Sequence, residues 1–180
     1  MDHDREDSFY NPLDEQLVDP KAEMKEKRGK TLPVLCVLSY VSIGYTAINS
    51  IFAFARGKLS AAEVDEIRVQ AMDSLEEDMP QMAVDIVMDS MEYAVLANEK
   101  FFLLNGLSLL IAAIGFLGVY MMYKLNKTGY YIYVAYSILP IVMQLTLFPG
   151  NLIAKFVSFF IGFFSILFLV LYGVQLKRME

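Results

Sequence analysis

The sequence predicts an all-α membrane protein: a bundle of four transmembrane helices with an amphipathic helical hairpin between the first and second. Three observations carry this. Only 20% of the 180 residues are charged, where a soluble domain has about 25%. None of the charges falls in windows 31–55, 101–123, 130–154 or 156–176. Those windows hold 25, 23, 25 and 21 residues, and a bilayer-crossing helix needs about 20.

Residues 1–30 carry nine acids and six bases, with Pro12 and Pro20. Such a composition buries no core, so this is read as a polar, largely disordered tail. Its second half, 21–30, is compatible with a short helix at the membrane surface. The tail is too long for the basic region of a secretory signal, and the run after it exceeds a signal's 7–15-residue apolar core. The first span, 31–56, is therefore expected to be retained. It starts near Pro33, which suits a first helical turn, and ends near Gly57.

The connection 57–100 is acidic, and two helices are expected in it. Ser60-Ala61-Ala62-Glu63 matches a capping box, in which hydroxyl and carboxylate satisfy the free amides of a helix start. Val64, Ile67, Ala71 and Leu75 follow as an amphipathic stripe. Pro80 opens the second helix. Val84, Val87, Met91, Val95 and Asn98 form one face, and Gln81, Asp85, Asp89 and Glu92 another. No breaker lies between Pro80 and Gly106, so this helix is expected to run into the second span as one rod bent near Asn98.

The second span is 101–123. The turn Lys124-Leu125-Asn126-Lys127-Thr128-Gly129 leads to the third, 130–147, where Pro140 predicts a kink. Phe148-Pro149-Gly150-Asn151 leads to the fourth, 152–176, and residues 177–180 form a short end. The short turns make the last three spans antiparallel neighbours.

Near-membrane bases mark the cytoplasmic side. Lys21, Lys25, Lys27, Arg28 and Lys30 share a side with Lys124, Lys127, Lys177 and Arg178. Arg56, Lys58, Lys100 and Lys155 lie on the other. Both termini are thus expected in the cytoplasm, with the acidic connection outside.

Several functions are disfavoured by count. The net charge of −6 argues against nucleic acid, which needs clustered Lys and Arg. One histidine, His3, and one cysteine, Cys36, leave no basis for a multi-histidine metal site or an intrachain disulfide. No Gly-rich phosphate loop or hydrolase motif is present. No catalytic residue, cofactor or metal site is therefore expected. The acids Asp73, Glu76, Glu77 and Asp78, and the row Asp85, Asp89 and Glu92, read as solvated faces. The row also reads as a candidate surface for a basic partner.

Ser39, Ser42, Thr46 and Asn49 lie on one face of the first span. Asn105, Ser108, Ala112 and Gly115 lie on one face of the second. Small and weakly polar residues let membrane helices approach and hydrogen-bond. The first reading is a packing seam between the two spans, with Asn49 near Asn105. The alternatives are a polar path or small-ligand cavity, or a dimer face. Ser158, Gly162 and Ser165 suggest packing of the fourth span on the third, with homodimerisation as the alternative. Gln144, one turn past Pro140, is expected to bond a neighbouring helix. No acid or base sits centrally in a span, where coupled transporters usually place one.

The stretch Leu32-Pro33-Val34-Leu35-Cys36-Val37-Leu38-Ser39-Tyr40, the turn Lys124-Leu125-Asn126-Lys127-Thr128-Gly129-Tyr130-Tyr131-Ile132-Tyr133 and the ending Val170-Leu171-Tyr172-Gly173-Val174-Gln175-Leu176-Lys177 resemble an uncharacterised family of small four-pass integral membrane proteins of bacteria. The resemblance implies the topology and a bacterial inner membrane, and no site residue follows from it. The layout is also similar to claudin-like four-pass proteins, but their paired cysteines and tryptophan are missing. The expected function is a non-enzymatic structural or accessory subunit with protein partners in the bilayer. The alternative is a small transporter or channel component using the polar seam. Self-association into a homo-oligomer is compatible with either.

Overall fold

Six α-helices follow one another in the structure, a computed structural model that describes residues 29–73, 75 and 79–179. They are α1 (Thr31–Arg56), α2 (Ala61–Asp73), α3 (Gln81–Glu99), α4 (Phe101–Tyr123), α5 (Lys127–Leu147) and α6 (Leu152–Gln175), with a 3-10 turn Leu176–Arg178 after them. No strand occurs among the described residues. The expectations for the tail, and for Glu76, Glu77 and Asp78, lie outside the described residues.

Helices α1, α4, α5 and α6 are long and apolar enough to cross a membrane. Val37, Val41, Ile51, Leu103, Leu110, Phe159, Phe163 and Val170 point outward and are more than half exposed. In water such a continuous apolar belt would be a liability. It is suited to lipid tails.

Local chemistry sets the helix ends. Gly57, at φ 84°, ends α1 with its N–H on the Ala53 carbonyl. The Ser60 amide donates to Glu63 Oε2 at 2.7 Å, and the Glu63 amide to Ser60 Oγ at 3.4 Å. That reciprocal pair opens α2. Val64, Ile67 and Ala71 are its half-buried positions, and Leu75 just beyond it is half-buried too. Helices α3 and α4 are nearly one rod. The interruption falls at Lys100, where φ is −93° and ψ 20°, two residues beyond Asn98. Asn126 caps α5 by accepting the Thr128 amide at 2.9 Å. The third span therefore begins three residues before 130, inside the expected turn. It runs through Pro140 without interruption.

The central helix is α4, packed on α1 along one flank and on α5 along the other. Glycines bring α4 and α5 together. A Cβ at Gly129 would sit 2.5 Å from the Met122 nitrogen and 2.7 Å from the Gly118 oxygen. Helix α6 packs on α5 and touches α1 and α3 more lightly. The tightest core lies at the end where the first span begins and the last span finishes. Leu32, Leu35, Cys36, Val119, Met122, Leu125, Tyr133 and Tyr172 are buried together there.

Candidate functional site

The row of α1 that packs against its neighbours is Cys36, Ser39, Ile43, Ala47 and Ser50, all buried or half-buried. The adjacent row, Ser42, Thr46 and Asn49, stays exposed. The helices do not close over it. Aromatic pairs join α1 to α4 on either side of this stretch: Tyr40–Phe116, with centroids 4.9 Å apart, and Phe54–Phe101 at 5.8 Å.

The polar row instead lines a cavity with two lobes. The first, of about 850 Å³, lies towards the α2–α3 hairpin. Asn49, Arg56, Tyr93, Asn98, Asn105 and Gln144 are among its lining residues. The second, of about 570 Å³, lies deeper, between Ser42 of α1, Ile111 of α4, Tyr136 of α5 and Phe160, Phe164 and Phe168 of α6. Thr46, Ser108, Met143 and Gln144 line both. Both volumes fall in the range of ligand pockets, about 300–1,000 Å³. Among the described residues, Arg56 is the one charged residue in either lining.

The deep lobe has a polar floor. Ser39 Oγ lies 3.2 Å from the Tyr133 hydroxyl and 3.0 Å from that of Tyr172. One small hydroxyl thus ties α1, α5 and α6 together. Tyr133 and Tyr172 face inward and are buried. Tyr120, Tyr123 and Tyr131 keep the exposed positions.

At the junction of the lobes the Gln144 side-chain amide lies 3.3 Å from the Tyr93 hydroxyl. The partner helix is α3 of the hairpin. The Tyr93 ring stacks on Phe148 at 4.4 Å. Three more contacts fix the hairpin, one between its own ends and two to the bundle. Asn98 clamps both backbone groups of Leu59, at 2.9 and 3.2 Å. Lys100 Nζ donates to the Leu147 carbonyl at the end of α5, where the helix dipole favours a cation. Asp89 accepts the Leu152 amide at 3.2 Å, and its own carbonyl accepts from Asn151 Nδ2 at 2.9 Å.

The sequence-derived residues therefore separate. Ser42, Thr46, Asn49, Asn105, Ser108 and Gln144 come together around the cavity. Ser39 forms its floor. Gly115 lies against the Tyr136 ring of α5, and the Asn105 amide donates to the Phe101 carbonyl of its own helix. A Cβ added at Gly162 would meet Ile141 of α5 at 3.6 Å, and Ser165 lines the deep lobe. Of the acid row, Asp85 and Glu92 are exposed while Asp89 is held by α6. The residues that sequence reasoning passed over are Arg56, Tyr93 and Tyr136. A signal for the last existed, since Tyr133, Tyr136, Pro140 and Gln144 recur at helical spacing. No three His, Cys, Asp or Glu residues converge as a metal site among the described residues. No protein-family model, curated protein or solved structure matches the chain.

Proposed function

We propose that this protein is a structural or accessory subunit of a larger membrane complex, without catalysis of its own. The observation that carries this reading is the fastening of the hairpin. Gln144, Lys100 and Asp89 hold it to the bundle and Asn98 ties its two ends together, while Asp85 and Glu92 remain exposed on its outer face. A surface held rigid before contact loses less freedom on binding. Two acids so presented suit a basic partner, and complementary charge speeds and orients association. The membrane is read as the bacterial cytoplasmic membrane, with both termini inside.

Purification in mild detergent tests the partner. A specific protein should co-purify with the wild type and be lost from Asp85→Lys/Glu92→Lys. A protein that always emerges alone would count against the reading. A cysteine placed at Asp73 in a Cys36→Ser background tests the sidedness. It should react with an impermeant maleimide added outside intact cells. Reaction only after the membrane is breached would reverse the orientation.

A second reading, a small transporter or channel component, is favoured by one observation: the polar row of α1 lines a cavity. Solute flux in proteoliposomes, abolished by Asn49→Leu or Asn105→Leu, would support it.

A further inference from the structure

The cavity changes character along its length, and its two lobes differ in what they could hold. Asn49, Asn105 and Arg56 are among the residues that line the first. Arg56 is exposed at the last turn of α1, where the apolar stretch meets the headgroup region. Among the described residues its guanidinium has no carboxylate partner within salt-bridge distance. A cation in a lining that also carries the Asn49 and Asn105 amides is chemically complementary to an anionic group bearing hydrogen-bond acceptors.

Most of the second lobe's surface is apolar, although Ser39, Ser42, Thr46, Ser108, Ser137 and Ser165 also border it. Ile111, Met143, Ile161 and Phe168 line it, together with Phe160 and Phe164. Phe160 and Phe164 are 57% and 54% exposed although they belong to the lining. The lobe is therefore not sealed from the apolar belt. Helix α6 has little contact with α1, and Ser39 with Tyr172 supplies a polar tie between them at the closed end. The opening thus faces the acyl chains of the surrounding bilayer, while the charged end lies at headgroup depth.

We propose that the cavity is a binding site for an anionic phospholipid. Its phosphate would lie on Arg56, with Asn49 and Asn105 as further donors. One acyl chain would enter the lobe between α1 and α6, along Met143, Ile161 and Phe168. The site holds whether or not the protein transports anything or has a protein partner. A phospholipid fits better than a water-borne solute because most of the deep lobe's surface is apolar and its phenylalanine side opens sideways. A free fatty acid shares the chemistry, and the experiment separates the two.

The test uses the full chain in nanodiscs of phosphatidylcholine doped with phosphatidylglycerol that carries a photoreactive diazirine near the end of one acyl chain. Cross-links are mapped by mass spectrometry. The expected result is label on Met143, Ile161 and Phe168, at several times the level on the outward Phe159, Phe163 and Ile166. Arg56→Gln should lower the inner label about tenfold and leave the outer label unchanged. Arg56 is exposed, so the variant should keep wild-type helicity by circular dichroism. Unlabelled phosphatidylglycerol should compete and oleate should not. Equal labelling of inner and outer positions would mean ordinary bulk lipid and overturn the proposal. So would labelling by a phosphatidylcholine probe that matches phosphatidylglycerol and ignores Arg56→Gln. Competition by oleate alone would replace the phospholipid with a free acid.

Discussion

Gly129 and Gly106 are both helical glycines, yet a methyl group means opposite things at the two. At Gly129 the added carbon meets backbone atoms of α4 at 2.5 and 2.7 Å, and backbone cannot step aside. At Gly106 nothing lies within 4 Å. Gly129→Ala should destabilise the bundle by about 1–3 kcal/mol, the usual cost of overpacking. Gly106→Ala should be neutral, or stabilising by up to about 1 kcal/mol from helix propensity. Thermal unfolding in one detergent checks the pair, and equal effects would refute the close crossing. Leu125 is the converse case. It sits at φ 64°, where helix ends usually place glycine, and its side chain is buried in the core.

Glu63 adds a pH dependence at the same scale. Its carboxylate is held below the usual range by the Ser60 amide and then by the Ser60 hydroxyl. The folded value is the lower one. The contribution to the start of α2 is therefore present above the unfolded value, and is lost as pH falls through the folded one. Amide exchange in the first turn of α2 should accelerate over that acid window. Glu63→Gln, which cannot titrate, should flatten the profile.

Among the elements, the hairpin stands on a few side chains from its own helices. Its half-buried stripe was legible in the sequence, because Val64, Ile67, Ala71 and Leu75 repeat with the helical period. What holds it was not. Asp89 looked like one member of a solvated acid row, and only the approach of α6 turns its carboxylate into an acceptor for the Leu152 amide. A carboxylate at a helix N-terminus also meets the favourable end of the dipole. Asp89→Ala should cost about 1 kcal/mol, in the range of a lost cap. It should raise hydrogen exchange in α3 while leaving α5 protected. Asp85→Ala, four residues earlier and exposed, should do neither.

For the whole molecule, Ser39 decides how the bundle closes. Removing its hydroxyl leaves Tyr133 and Tyr172 without their shared partner in a buried setting. Ser39→Ala should cost about 1–2 kcal/mol, since hydrogen bonds between membrane helices are worth somewhat less than their dry surroundings suggest. It should also open the deep lobe at its floor, read as faster maleimide reaction of the buried Cys36 one turn away. An unchanged rate would mean that the apolar residues around Cys36 close that end by themselves.

Composition and periodicity determined the all-α class, the four spans, the capping box and the half-buried face of the hairpin. These are local properties: a run of apolar residues must leave water, and a helix repeats every 3.6 residues wherever it lies. Periodicity also selected Ser42, Thr46, Asn49, Asn105 and Ser108 as polar rows. Only the tertiary structure decided that they border a cavity, because a row of small polar residues is compatible with contact or with space. The answer turned on the neighbouring rows. Ile43, Ala47 and Ser50 take the packing face of α1, glycines draw α4 towards α5, and α6 touches α1 only lightly. The space left between the helices follows from those three contacts together.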